Sequence, residues 1–167
     1  FELANDVFYL PIKTDQYFTH GLKLEFGKRG SKTPPLLASG GATTERYWRL
    51  TQNIYTPREI EASSLVENDR PFASYLLVTR GKSFTDDQPG FGLRGEFSGG
   101  VLGRYSGGGR MQSALHDVLS FADPLPGWAN EVKPDVLLNY ELQVSQWFSV
   151  SSRFRFTTTL TGQLGTL

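Results

Sequence analysis

The stretch VLLNYELQV, residues 136–144, decides the fold class. Leu138, Tyr140, Leu142 and Val144 fall on one face of an extended chain, and Asn139, Glu141, Gln143 and Ser145 on the other. Successive side chains of a strand point to opposite faces, so this strict period of two marks a half-apolar β-strand. A tight reversal is expected near Trp147-Phe148-Ser149, after which the pattern resumes. Phe154, Phe156, Thr158 and Leu160 alternate with Arg153, Arg155, Thr157 and Thr159. Upstream, Leu93, Phe97 and Val101 alternate with Arg94, Glu96 and Ser98, and Leu22, Leu24 and Phe26 with Lys23 and Glu25.

Extended along the chain, the same reading predicts seven strands, roughly 1–10, 19–28, 46–56, 72–81, 91–103, 136–147 and 150–165. Many are long for a soluble sheet and suit a tilted strand crossing a bilayer. Alternation fits either a soluble antiparallel sheet with its polar face outside or a barrel with lipid outside and a polar lumen. In the barrel, Leu138, Tyr140, Leu142, Phe154, Phe156 and Leu160 face lipid, while Glu141, Gln143, Arg153 and Arg155 line the lumen. Seven is odd, whereas bacterial single-chain barrels have an even number of strands. We therefore read residues 1–167 as one β-barrel domain, truncated.

Composition narrows the classes further. With 17 basic and 17 acidic residues there is no net field to draw the chain to nucleic acid. The absence of cysteine excludes a disulfide framework, a thiol nucleophile and a cysteine-based zinc site. No apolar run reaches the roughly 18–20 residues of a membrane-spanning helix, but barrel strands never produce one. High glycine (18) and aromatic (13%) contents suit turns and aromatic belts.

One segment breaks the period. In RMQSALHDVLSF, residues 110–121, Met111, Ala114, Leu115, Val118 and Leu119 recur at helical spacing, which predicts a short helix over about 109–121. Residues 27–45 are rich in Gly, Pro and Ser and read as a flexible connection.

Few residues can carry chemistry. His116 follows Gln112 by four positions, so both project from one helix face. An imidazole titrates near neutrality and can take a proton from water. His20, beside Thr19 at a strand start, reads as a surface residue. Asn5-Asp6 in the first strand reads either as an exposed strand end or as an oxygen donor for calcium beside an orienting amide. Asp69-Arg70-Pro71 reads as a structural pair at a strand entry. The Gly107-Gly108-Gly109 run does not match a phosphate loop, and no Gly-x-Ser-x-Gly elbow is present.

Taken in order, these pieces resemble the lipid A 3′-O-deacylase family of outer-membrane barrels. The matching motifs are Asn5-Asp6-x-Phe8, Asp15-Gln-Tyr17-Phe-Thr19-His-Gly21, Gln52-Asn-Ile54-Tyr55-Thr56-Pro57 and Asp69-Arg70-Pro71-Phe72-Ala73. Gln112-x-x-x-His116 and Gly127-Trp128-x-Asn130 complete the series, from residue 3 to about residue 142. The resemblance implies a twelve-stranded barrel, of which this chain would supply about seven strands. It implies a bacterial outer-membrane location, with a site facing the outer leaflet and lipid A or lipopolysaccharide as substrate, and no required protein partner. It also implies a water activated by His116, with Asn5, Asp6, Thr19 and Gln112 completing the site. Ca2+, held by Asp6, would stabilise the oxyanion. The five residues are expected to converge to within roughly 10 Å of one another.

Two other classes remain in view: a non-catalytic outer-membrane barrel, either a pore or an inactive relative, and a soluble ligand-binding β-sandwich. The placement of both His116 and Gln112 on an inserted helix argues against a pore.

Overall fold

A computed structural model describes residues 2–5, 20–30, 42–60, 62–87, 90–119, 125–151 and 153–167, with side chains described from residue 21 onward except at 115–119. Among the described residues seven antiparallel strands form one sheet in sequence order. They are β1 (Glu2–Asn5), β2 (His20–Gly30), β3 (Thr43–Tyr55), β4 (Ala73–Asp86), β5 (Phe91–Leu102), β6 (Asp135–Ser149) and β7 (Arg155–Gly165). Among the described residues one helix, α1 (Gly108–Leu119), is inserted between β5 and β6, flanked by 3-10 turns at Gly103–Ser106 and Pro126–Asn130. Among the described residues no helix is long and apolar enough to cross a membrane. The meander is the connectivity of an up-and-down barrel wall.

Six strands, β2 to β7, reach or exceed 11 residues, as expected for bilayer-crossing elements. Their bounds differ from the sequence reading in an instructive way. β2 continues to Gly30 and β3 begins at Thr43, so the connection expected over 27–45 narrows, with 31–41 lying outside the described residues. Of the strand expected over 1–10, the part beyond Asn5 lies outside them too, as do the last two residues of the expected helix. β6 runs on through Trp147 and Phe148, and the reversal falls at 150–154. There Phe154 accepts from the Val150 N–H at 3.0 Å and donates to the Ser151 carbonyl at 3.4 Å. Arg153 and Phe154 therefore belong to a turn, not to a strand face.

The register of β6 against β7 sorts the two faces. Tyr140 pairs with Leu164, Leu142 with Gly162, Val144 with Leu160 and Phe148 with Phe156. Directly paired residues share a face, so these apolar positions form one surface with Leu138. The Phe148 and Phe156 rings stack on it at 5.4 Å. Glu141, Gln143 and Ser145 share the other face with Gln163, Thr161 and Thr159, and Arg155 pairs with Ser149 on that face. Leu138, Leu142 and Leu160 remain 53%, 40% and 73% exposed, which in water would be an aggregation hazard and in lipid is the buried state.

By compactness the chain divides into two units. The first comprises Phe1–Leu24, Leu50–Val78 and Gly100–Leu137; the second comprises Glu25–Arg49, Thr79–Gly99 and Leu138–Leu167. The second unit is organised around ions. Glu96 accepts both Arg49 Nη1 and Nη2, at 2.9 and 3.0 Å, and also the Arg94 Nε at 2.7 Å. The Tyr47 hydroxyl donates to the same carboxylate, and Arg49 reaches Glu25 at 2.8 Å through its Nε. The Tyr47 ring packs against Gly81, where a Cβ would meet the ring carbon Cζ at 2.0 Å. A polar cluster of this kind is natural on the lumen face of a barrel and unworkable on the lipid face.

Candidate active site

The first unit holds α1, and glycines explain how the helix is seated. Gly107 adopts φ +76°, a left-handed conformation that lets the 3-10 turn at Gly103–Ser106 lead directly into α1. Its carbonyl accepts the Met111 N–H at 3.0 Å, which closes the first turn. Gly108 then presses on β4, where a Cβ would lie 2.3 Å from the Ser74 side chain. The Gly107-Gly108-Gly109 run is thus a close-packing device, consistent with its mismatch to a phosphate loop.

Below the helix, buried polar groups lock the turn to the strands. Ser74 and Ser106 hydroxyls lie 2.5 Å apart, and Gln52 Nε2 donates to the Ser106 carbonyl at 2.8 Å. All three residues are buried, so each hydrogen bond replaces one that water would otherwise supply. Ile54 and Phe72 fill the apolar space beside them, at 0% and 2% exposure.

Gln112 is the one site residue whose side chain is described, and it is buried at 6% exposure. Trp128 Nε1 donates to Gln112 Oε1 at 2.9 Å. An indole N–H can only donate, so this contact fixes which end of the amide is oxygen. Trp128 is itself held against Phe72, with ring centroids 4.9 Å apart, and against Gly109 at the start of the helix. Gly127 completes the seat, since a Cβ there would collide with Phe72 at 2.3 Å. His116 lies in α1 four positions beyond Gln112, although its side chain is outside the described residues.

Asn5 ends β1 and pairs with His20, the first residue of β2. The backbone thus brings Asn5 to the strand end that Thr19 precedes, and makes His20 its direct neighbour. Asp6 and Thr19 lie outside the described residues, as does the Asn5 side chain. Asn5, Gln112 and His116 all belong to the first compact unit. Among the described residues no group of three or more His, Cys, Asp or Glu is gathered that could hold a metal.

Two carboxylates near the site have structural surroundings. Asp69 accepts the backbone N–H groups of Arg58 at 2.8 Å, Glu59 at 3.1 Å and Arg70 at 2.8 Å. Desolvation pushes its carboxyl up, but these three donors and the Arg70 charge outweigh it and hold the carboxyl below the usual range. Asp69 thus ties the 58–70 loop to itself, and the structural pairing expected of Asp69 with Arg70 is joined by a backbone clasp. Glu131, which follows the Pro126–Asn130 turn, is pushed up by burial, against the pull of Arg104. Its Oε2 is buried without a hydrogen-bond partner among the described residues.

Sequence reasoning placed Gln112 and His116 on one helix but assigned no role to Trp128, Ser74, Ser106 or Gln52. Trp128 and Gln52 stood in the quoted motifs, and the signal available was an indole N–H sixteen positions from a glutamine on an inserted helix. Only packing pairs the two.

The solved structure of LpxR from Salmonella typhimurium matches with a TM-score of 0.70 at 18% identity, covering 90% of this chain and 49% of that one. At that identity the likeness establishes the fold, an outer-membrane type of antiparallel barrel, and the chain spans about half the length of that structure. No curated protein matches the sequence. A family model described as outer membrane protein LpxR matches residues 1–167, a span that contains the strands, the glycine-seated helix and the Trp128–Gln112 contact, and the chain belongs to that family.

Proposed function

We propose that this chain is part of an outer-membrane enzyme that hydrolyses the ester-linked 3′ acyl chain of lipid A. The observation that carries the reading is the buried Gln112, oriented by Trp128, on a glycine-seated helix that bears His116 one turn further on. An antiparallel barrel wall has no structural need for a buried amide on such an insert. Family membership and the motifs shared with lipid A 3′-O-deacylases support the same conclusion.

On this reading His116 takes a proton from water as the water attacks the ester carbonyl, and later returns it to the leaving alkoxide. The Gln112 carbonyl is occupied by Trp128, so its amide N–H groups are the end free to hold substrate or the developing oxyanion. Asn5 and Thr19 supply further polar contacts at the strand ends, and the site faces the outer leaflet, where lipid A resides. Asp6 is the residue we assign to calcium, whose charge when bound would lower the energy of the oxyanion.

Two expected results follow. With the complete protein and purified lipid A, Asp6→Asn should abolish calcium-dependent release of fatty acid while leaving heat-modifiable migration unchanged. Full activity of Asp6→Asn in chelator would remove both Asp6 and calcium from the mechanism. Trp128→Phe keeps the ring against Phe72 but deletes the N–H that orients Gln112. Turnover should fall about tenfold, the kinetic equivalent of one hydrogen bond of about 1.4 kcal/mol, with KM nearly unchanged. A loss confined to KM would show that Gln112 only binds substrate.

A further inference from the structure

The second compact unit carries a basic groove that the deacylase reading leaves unused. A cavity of about 480 Å³ is lined by Arg46, Arg80 and Lys82 together with Phe97, Tyr140 and Leu142. Arg46 and Arg80 also line an adjoining depression of about 280 Å³ with Lys28 and Trp48. Arg46, Arg80 and Lys82 are exposed and make no ion pair among the described residues. The nearby carboxylate of Glu96 alternates with Phe97 on β5 and is taken up by Arg49 and Arg94 on the opposite face of the sheet.

The parity of the strands sets the cations and the apolar side chains of this groove on the lipid side. Arg46 alternates with the buried Tyr47 on β3, and Arg80 with the buried Thr79 and Gly81 on β4. Tyr140 and Leu142 belong to the exposed apolar face of β6. Cations on the lipid face of a barrel are costly at mid-bilayer and tolerated near the headgroups, where aromatic girdles also sit. Trp48 has both features, with the Arg80 guanidinium 4.7 Å above its ring and half its surface exposed. The same unit contains the short connections at 87–90 and 150–154, and short turns of outer-membrane barrels face the periplasm.

We propose that this groove binds the phosphate of an anionic glycerophospholipid of the periplasmic leaflet. Arg46, Arg80 and Lys82 hold the phosphate, and one acyl chain lies along Phe97, Tyr140 and Leu142. The assignment rests on the barrel and its orientation, not on the chemistry at His116.

The test uses the complete protein in nanodiscs of phosphatidylcholine doped with phosphatidylglycerol. Native mass spectrometry should show phosphatidylglycerol retained on the protein, and Arg46→Gln/Arg80→Gln/Lys82→Gln should weaken retention about 100-fold, from roughly fivefold for each cation near an anionic lipid surface. In parallel, phosphatidylglycerol with brominated acyl chains should quench Trp48, read as the difference between the parent protein and Trp48→Phe. This second measurement needs no charge variant and so stands even where the triple variant fails to fold. Equal quenching by brominated phosphatidylcholine, unchanged retention by the triple variant, or preferential retention of lipid A would each overturn the assignment. His116→Ala should retain phosphatidylglycerol like the parent, which separates failure of this site from failure of the deacylase reading.

Discussion

His116→Ala is expected to leave the barrel intact and to reduce lipid A deacylation by roughly 10²–10⁴-fold, the usual contribution of a positioned general base. Water is a poor nucleophile at neutral pH, and an imidazole that accepts its proton as the bond to carbon forms lowers the barrier directly. Alanine removes that acceptor without adding bulk, and it is a good residue for the interior of α1. The measurement is mass spectrometry of lipid A from cells expressing the complete gene, with and without the substitution. Folding is read separately from heat-modifiable migration on a gel. The parent's rate should also fall toward acid as the imidazole becomes protonated, and this limb should vanish in the residual activity of the variant. Unaltered removal of the 3′ acyl chain by His116→Ala would end the proposal that this residue is the base.

The second large effect is one of stability. Glu96→Ala should destabilise the protein by about 3 kcal/mol, as expected when one member of a buried charge cluster is deleted and its partners are stranded. The carboxylate is only 10% exposed and receives Arg49, Arg94 and the Tyr47 hydroxyl together. Arg49 would keep Glu25, whereas Arg94 and Tyr47 would keep only each other, through the Arg94 Nε that donates to the Tyr47 hydroxyl at 2.7 Å, and would lose the carboxylate. The exposed pair Arg29–Glu45 provides the contrast, since its side chains are 74% and 42% accessible. Glu45→Gln should change stability by no more than about 1 kcal/mol, and less in high salt. Denaturant unfolding of the lipid-embedded protein measures both. Similar losses for Glu96→Ala and Glu45→Gln would show that the cluster is as well solvated as the surface.

The alternation at 136–144 was sufficient to identify a strand and its two faces, because the period of two is a property of the backbone and needs no partner. The same holds for the helix at Met111, Ala114 and Leu115, whose spacing is local. Strand ends were less legible. Phe154 continues the parity of Phe156, so nothing nearby distinguishes turn from strand; the pairing of Ser149 with Arg155 decides it, and that pairing is a property of two strands together. The chain's membership in an outer-membrane family was readable from short motifs taken in order.

Contacts between distant segments belong to the tertiary structure alone. Tyr47 and Arg49 meet Arg94 and Glu96 only because β3, β4 and β5 stand side by side in one sheet. Gln112 was recognised as a polar residue beside a histidine, but its burial and the orientation of its amide come from Trp128, which reaches it across the connection to β6. In the sequence Gly107, Gly108 and Gly109 read only as a run that matches no phosphate loop, yet two of them are closely packed, Gly108 against the Ser74 side chain and Gly109 against the Trp128 ring. A local pattern specifies which way a side chain points; which neighbour it meets depends on chain closure over tens of residues, and no periodicity encodes that.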